Sequence, residues 1–132
     1  MIVRTLDEVT GTERDVAGDG WQSRRLLLKR DGLGFSLHDT VVEAGWEKEM
    51  AYTNHLEACY CIAGEGEVED LATGDRYPIV PGTVYALDAH DRHVVRVKAE
   101  LRLICVFNPP LTGAETHDDS GAFPADAADE EP

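Results

Sequence analysis

Short runs of alternating hydrophobic and polar residues fill most of the chain from Trp21 onward. Alternation with a period of two is typical of strands that bury one face, and the Gly, Pro and Asp residues between the runs favour turns. A helical period occurs only at residues 5–9, which are too few to shape the fold. The pattern predicts eight strands, near residues 22–30, 33–43, 55–62, 66–71, 75–79, 83–87, 93–99 and 101–107. Eight short strands predict an all-β sandwich or barrel in a single domain.

The first two predicted strands form a hairpin whose register can be written out. If Asp31 and Gly32 make a two-residue type I′ turn, the cross-strand partners are fixed, unless a bulge at Gly34 shifts them. The predicted partners are Trp21 with Val42, Ser23 with Thr40, and Arg25 with His38. Because partners share a face of the ribbon, these side chains lie together, with Leu28 on the opposite face. An aromatic ring, a cation, two hydroxyls and an imidazole on one face favour a binding surface.

A second hairpin is predicted between the strands near 83–87 and 93–99. A turn centred near Ala89 would place Tyr85 opposite His93. Two side chains that can ligate a metal would then be neighbours across one ribbon.

The net charge of the 132-residue chain is −14, from 26 acidic and 12 basic side chains. This excess argues against nucleic acid or an anionic membrane surface as a partner. Residues 118–132 hold six acidic side chains and no basic one, so they predict a flexible, solvated tail after a domain that spans 1–117. No apolar run has the length of a signal peptide or a membrane span, and a cytoplasmic protein is expected.

The three cysteines, at positions 59, 61 and 105, form no Cys-x-x-Cys pair, and an odd number does not fit a disulfide framework. We interpret them as reduced, buried thiols that pack as small hydrophobic side chains.

A run in the middle of the chain has the spacing of the first motif of the cupins, a superfamily of small β-barrels. Gly45, Glu57 and Gly64 occupy the glycine, glutamate and glycine positions of that motif. Its two histidine positions hold Ala51 and Thr53 instead, so the usual metal-binding pair of histidines is missing.

The second cupin motif is also altered, because Tyr85 stands where its histidine is expected and His93 follows eight residues later. Together with Glu57, these residues offer a carboxylate, a phenolate and an imidazole. Such a set suits iron(II) and could accept zinc or manganese, and three ligands leave positions open for water or substrate. Taken singly, an exposed glutamate and a packed tyrosine remain the alternative.

Six further runs of residues are distinctive: RRLLLK at 24–29, GFS at 34–36, NHLEA at 54–58, GEGE at 64–67, PGTVYALD at 81–88 and CVFNPPLTG at 105–113. Together they resemble the runs of ectoine synthase, a family of cupin enzymes. The last run is long and chemically unusual. The resemblance extends over about residues 1–120 and leaves out only the acidic tail.

The resemblance implies a cupin barrel with an iron site and a substrate site. The implied iron ligands are Glu57, Tyr85 and His93. The implied substrate contacts are Trp21, Arg25, Thr40, Cys105, Glu115 and His117. His38 and Phe107 join them as candidates, because they share a strand face with Arg25 and Cys105. A surface ion pair for Arg25 and core packing for Cys105 remain alternatives.

The implied reaction is an intramolecular condensation. The α-amine of N-γ-acetyl-L-2,4-diaminobutyrate attacks its own acetamide carbonyl, and loss of water gives the cyclic amidine ectoine. Candidate acids and bases are Tyr85, Glu115 and His117; the last two follow the final strand, in a segment that could fold over the barrel mouth as a lid. Members of the family are dimers, so a homodimer is expected.

Two other functions stay open: another metal-dependent cupin enzyme, such as a dioxygenase, and a non-enzymatic cupin that binds a small acid. Two histidines lie outside the implied site. His55 faces the same way as Glu57 and could orient it, whereas His90 lies in a turn and is expected to be exposed.

Overall fold

The computed structural model describes residues 1–118 and 121–124. It contains a four-residue helix, α1 (Leu6–Val9), and a single 3₁₀ turn at Lys29–Asp31. Its strands are β1 (Asp15–Gly18), β2 (Trp21–Leu27), β3 (Ser36–Val42), β4 (Glu47–Met50), β5 (Leu56–Asp70), β6 (Arg76–Ile79), β7 (Val84–Leu87) and β8 (His93–Asn108). The all-β prediction is confirmed. Among the described residues, no helix has the length and apolar character needed to cross a membrane.

Two long strands, β5 and β8, each combine two of the predicted strands. The predictions near 55–62 and 66–71 are the two halves of β5, and those near 93–99 and 101–107 are the two halves of β8. The hydrophobic pattern missed β1 and β4, because these four-residue strands are largely exposed and show no alternation of buried positions.

All strand pairs are antiparallel, in the order β1-β2-β3-β8-β5-β6, with β4 also paired to β8 and β7 to β5. The register between β5 and β8 shifts between Cys61 and Gly66. There the sheet bends, and side chains from its two halves, such as Leu103 and Val68, meet in one core. Gly64 permits the bend, because its φ is +95° and a Cβ there would collide with the carbonyl of Glu100.

The register of the first hairpin is confirmed, but its turn is not type I′. Arg25 faces His38, and the other two predicted pairs also form. A bulge between Arg25 and Leu27 then shifts the register, and the 3₁₀ turn replaces the predicted two-residue turn. Asp31 stabilises that turn by accepting a hydrogen bond from the Leu28 N–H at 2.8 Å. Because an extra residue reverses the alternation of faces, Leu28 lies in the core with Cys105 and Phe107 and not on the predicted face opposite Arg25.

The predicted pairing of Tyr85 with His93 is wrong. Strand β7 pairs with β5, and Tyr85 lies opposite Cys59. His93 begins β8 and lies opposite Met50 of β4 and Asp70 of β5. The segment between β7 and β8 therefore crosses from one half of the sheet to the other. Turn-forming residues are common to crossings and hairpins, so they could not distinguish the two.

The chain after β8 packs against the barrel further than predicted. Phe123 is 4% exposed, and the side-chain amide of Asn54 donates to its backbone carbonyl at 2.9 Å. The predicted start of the solvated tail at residue 118 is thus corrected, because burial of a large aromatic ring holds residues 121–124 against the sheet. The rest of the predicted tail, residues 119–120 and 125–132, lies outside the described residues. We call residues 109–118 and 121–124 the lid.

Candidate active site

A row of side chains crosses five strands on the inner face of the sheet. Cross-strand partners run from Tyr85 on β7 through Cys59 on β5, Cys105 on β8 and His38 on β3 to Arg25 on β2. Because antiparallel partners point to the same side, the row brings together a phenol, two thiols, an imidazole and a guanidinium. We call the inner face of these five strands the wall.

The wall and the lid, together with Trp46 and Met50, line a cavity of about 60 Å³. The predicted site residues in its lining are Trp21, His38, Thr40, Glu57, Tyr85, Cys105, Phe107 and His117. Arg25, His93 and Glu115 lie outside this lining. Most of the predicted site residues therefore lie together around this cavity, and the other three lie outside its lining.

Glu57 is a buried carboxylate on β5. Burial raises its pKa to about 7, and hydrogen bonds from the Cys59 and Cys105 thiols only partly oppose this rise. Tyr85 lies on the other side of Cys59, and burial likewise raises the pKa of its phenol, with smaller contributions from Cys59 and Glu57. Burial therefore favours the neutral form of both groups unless a cation approaches them.

His93 is buried and has one ring nitrogen free to bind. Its Nδ1 lies 2.8 Å from the Asp91 carbonyl, which accepts only, so Nδ1 carries the proton and Nε2 keeps its lone pair. That Nε2 is buried without a hydrogen-bond partner among the described residues. Burial also lowers the pKa of the ring. A neutral imidazole fixed through Nδ1 to a carbonyl is the usual arrangement of a metal-binding histidine.

The three predicted metal ligands do not all line one cavity. Tyr85 lines the main cavity with Glu57 and a neighbouring cavity with His93, so it lies between the other two. The orphaned Nε2 of His93 and the buried carboxylate of Glu57 are two donors that a cation would satisfy. The residues therefore fit a bound metal. Glu57 also lies near two other donors, because its carboxylate and the thiols of Cys59 and Cys105 lie within 4.8 Å of one another.

Arg25 is fully buried and binds the lid. Its Nη1 donates to the Gly113 carbonyl at 2.9 Å, and its Nη2 donates to the Glu115 carbonyl at 2.6 Å. Burial lowers the pKa of the guanidinium to about 10, so it stays charged at neutral pH. The structure thus shows Arg25 tying the wall to the lid, in place of the surface ion pair that sequence left as an alternative.

His38 lies between two hydroxyl groups in the wall. Its Nδ1 is 3.2 Å from Ser23 Oγ and its Nε2 is 3.0 Å from Ser36 Oγ. Ser36 Oγ also accepts from the Leu111 N–H at the root of the lid. Burial, with a smaller contribution from Arg25, keeps the pKa of His38 well below its usual value. His38 is therefore neutral and links the wall to the lid root.

Glu115 and His117 are the polar groups of the lid. Burial alone would raise the pKa of Glu115, but hydrogen bonds from the Thr112 and Gly113 N–H groups outweigh it and hold the pKa below its usual value. Glu115 is thus an ionised carboxylate that closes a lid turn, with one oxygen 3.9 Å from Arg25. Burial lowers the pKa of His117 to about 4, so its ring is neutral.

Tyr52 and Phe123 line the cavity and were not predicted from the sequence. Tyr52 places its hydroxyl 2.8 Å from His117 Nε2, and the Phe123 ring stacks on the His117 ring with centroids 4.6 Å apart. Tyr52 lies between Ala51 and Thr53, the two altered histidine positions, and a single tyrosine there gives no periodic signal of its own. For Phe123, the one signal was a large aromatic residue within an otherwise small and acidic segment.

Two further histidines lie near the site. His55 is buried, with its ring edge-on to Phe107 and Phe123, and its Nδ1 has no hydrogen-bond partner among the described residues. His90 is exposed, as predicted, and its Nδ1 lies 2.7 Å from the Tyr52 carbonyl. No contact shows His55 orienting Glu57, so that role stays a prediction.

Comparisons with known proteins agree with this geometry. A family model described as ectoine synthase matches residues 1–127. L-ectoine synthase of Desulfatibacillum aliphaticivorans is 60% identical over 126 residues, which cover 94% of this chain and 97% of that protein. The crystal structure of ectoine synthase from P. lautus has a TM-score of 0.86 at 51% identity, with 96% of this chain and 94% of that chain covered.

A more distant likeness concerns the fold alone. A Cupin_2 domain from an XRE family transcriptional regulator of Enterobacter cloacae has a TM-score of 0.57 at 16% identity. The match covers 69% of this chain and 98% of that one. The predicted cupin barrel is thereby confirmed.

Proposed function

The chain belongs to the ectoine synthase family, and on that premise we propose that it cyclises N-γ-acetyl-L-2,4-diaminobutyrate to ectoine with the help of a bound divalent metal. Its relatives are named L-ectoine synthase, and the chain is accordingly an enzyme of the hydro-lyase class. The α-amine forms a bond to the acetamide carbon, and the carbonyl oxygen leaves as water with both hydrogens of that amine.

The observation that carries the proposal is that polar side chains of the wall and of the lid line the same cavity. Glu57 and Tyr85 lie on the wall, and the neutral His117 ring lies on the lid. Around them, Trp21 and Phe107 supply apolar surface that excludes water. A reaction that expels water from a linear molecule benefits from a dry, narrow space that holds the two reacting ends together.

We assign the metal to Glu57, Tyr85 and His93, with iron(II) as the expected ion and zinc or manganese as possible substitutes. When bound, such an ion supplies a Lewis acid that polarises the acetamide oxygen, which is the difficult step because an amide is a poor electrophile. The Asp91 carbonyl fixes the His93 ring through Nδ1, which would leave Nε2 free to hold the ion.

We assign the proton transfer to His117. Its Nε2 bonds to the Tyr52 hydroxyl, which is itself 3.6 Å from the Met50 sulfur. If Tyr52 donates to that sulfur, His117 donates through Nε2 and keeps a lone pair on its unpartnered Nδ1. Nδ1 then takes a proton from the amine as the bond forms and returns it to the departing oxygen. Two such transfers complete the water molecule.

The lid must open for substrate to enter. Free space of about 60 Å³ is well below the several hundred that a small-molecule pocket usually offers. Arg25, Asn54 and Tyr52 each hold the lid by a hydrogen bond to its backbone or to His117. We propose that these bonds break together when the lid opens, and that Glu115 acts by keeping Arg25 and the lid turn in place.

We propose a partner from the exposed apolar residues and a compartment from the state of the cysteines. Met1 and Val3 are highly exposed, and Tyr60 on β5 and Val84 on β7 form an exposed apolar pair on the outer face of the sheet. We propose that a second copy of the chain covers these residues in a homodimer. The three free, buried thiols favour a reducing compartment such as the cytoplasm.

The direct test is to incubate iron(II)-loaded protein with N-γ-acetyl-L-2,4-diaminobutyrate under argon and to separate the products by chromatography. Ectoine should form without oxygen, and metal-depleted protein should form little. Formation of product only when oxygen is admitted and consumed would favour a dioxygenase. Absence of any product from the metal-loaded protein would favour a non-enzymatic, acid-binding cupin.

A further inference from the structure

Three metal donors of mixed character meet in the wall, next to the proposed iron ligands. The Glu57 carboxylate and the thiols of Cys59 and Cys105 lie within 4.8 Å of one another. Their positions follow from the register, because Cys59 directly faces Cys105 and Glu57 is two residues away on the same face of β5. All three are buried, and all three line the cavity.

Among the described residues, no cationic side chain balances this cluster. Within the described residues Glu57 makes no ion pair, and the guanidinium of Arg25 at the far end of the row is engaged by the lid. The neighbours of the carboxylate are thiols, which are weak hydrogen-bond donors. A buried carboxylate with such partners stays costly in its ionised form, and a bound cation would remove that cost.

We propose that Glu57, Cys59 and Cys105 form a second metal site, which takes a borderline-soft divalent ion such as Zn²⁺. Zinc binds thiolate sulfur at about 2.3 Å, so two sulfurs on one tetrahedral ion lie about 3.8 Å apart. The three donor atoms of this cluster lie within 4.8 Å of one another, so small side-chain rotations are enough to bring the two sulfurs to that spacing. Binding releases the two thiol protons to solvent, and the ion keeps its charge.

The new site shares Glu57 with the set that also includes Tyr85 and His93. Thiolates favour zinc, whereas a carboxylate, a phenolate and an imidazole also suit iron. Zinc held by Cys59 and Cys105 therefore takes the shared carboxylate and displaces iron. Only this competition rests on the proposed function, because the thiolate site itself requires no assumption about the reaction.

Titration of reduced, metal-free protein with Co²⁺ tests the site without any activity measurement. Cobalt bound to thiolate gives a near-ultraviolet charge-transfer band that oxygen and nitrogen ligands do not give. The band should saturate at one equivalent and disappear when Zn²⁺ is added. It should fall at least two-fold in Cys59→Ser and in Cys105→Ser. It should persist in His93→Ala, because that residue belongs to the other set.

Cys61→Ser is the matched control. Cys61 lies on the same strand and is equally buried, but its thiol bonds to the Ala63 carbonyl and lies outside the cavity lining. The band should be unchanged in this variant. Absence of the band in the unsubstituted protein would overturn the proposal. A band that keeps its intensity in both Cys59→Ser and Cys105→Ser would also overturn it, and so would loss of the band in His93→Ala.

If a serine variant fails to fold, X-ray absorption of the zinc-loaded, unsubstituted protein decides the question. A shell of sulfur neighbours at about 2.3 Å supports the site, and a shell of oxygen and nitrogen alone at about 2.0–2.2 Å overturns it. Competition between zinc and iron is measured on iron-loaded protein. One equivalent of zinc should release most of the bound iron into a chelator. Retention of iron beside a sulfur-bound zinc would contradict the shared use of Glu57.

Discussion

Arg25 lies in the wall of the cavity, whereas the two carbonyls it binds, those of Gly113 and Glu115, belong to the lid. The wall holds its side chains through the register of five paired strands. The lid has no strand or helix and is held by a few hydrogen bonds and by the burial of Phe123. The side chains of the proposed site are thus held on the sheet, and the segment that we propose to move is attached by contacts that can break.

The largest effect is expected when the wall loses a metal donor. His93→Ala should lower activity by at least about 100-fold and remove most of the bound iron, since the ion loses one of three ligands. His90→Ala is the matched control, because that imidazole is exposed and contacts only the Tyr52 carbonyl among the hydrogen bonds described. Metal content and turnover would be measured on both. Full iron occupancy in His93→Ala would remove His93 from the site.

The next effect concerns the link between wall and lid. Arg25→Ala should lower the free energy of unfolding by about 3–5 kcal/mol, because two lid carbonyls and the Glu115 carboxylate lose a buried partner. Arg30→Ala breaks an exposed ion pair with Glu13 and should cost at most about 1 kcal/mol. Urea denaturation of both variants measures the difference. Equal values would mean that the Arg25 contacts contribute no more than a surface pair.

A smaller loss is expected from the lid itself. Phe123→Ala should cost about 3 kcal/mol at most, because the lid can yield locally around the vacated space. Tyr77→Ala, which truncates an exposed aromatic on β6, should stay within about 0.5 kcal/mol. Thermal unfolding compares the two. If Phe123→Ala is as mild as Tyr77→Ala, residues 121–124 do not pack against the barrel in solution.

The smallest effect is a pH dependence of the free energy of unfolding that arises from His117 in the lid. His117 has a pKa of about 4 in the folded chain, against a reference value of 6.5, so between these values the unfolded chain binds a proton that the folded chain does not. Stability should therefore fall as pH is lowered from 6.5 to 4. The loss should be about 2 kcal/mol relative to His117→Leu, after allowance for partial exposure of the ring. If the free energies of unfolding of the unsubstituted protein and of His117→Leu change with pH in the same way, the His117 ring is not buried.

The sequence predicts part of the wall correctly and the lid less well. Period-two alternation pairs Arg25 with His38 as observed, although the turn that joins their strands is a 3₁₀ turn with a bulge beside it and not the predicted two-residue turn. The same reasoning wrongly paired Tyr85 with His93, because local turn signals carry no information about which distant strand is the partner. Phe123 was assigned to a tail because a single buried aromatic in an irregular segment produces no period.

The ligand set Glu57, Tyr85 and His93 is most directly tested by anomalous X-ray scattering at the iron edge from crystals of the iron(II)-loaded protein. We predict one strong anomalous peak within bonding distance of the Glu57 carboxylate, the Tyr85 hydroxyl and His93 Nε2. An iron peak bonded instead to the thiols of Cys59 and Cys105, or one that leaves His93 Nε2 unbound, would contradict it.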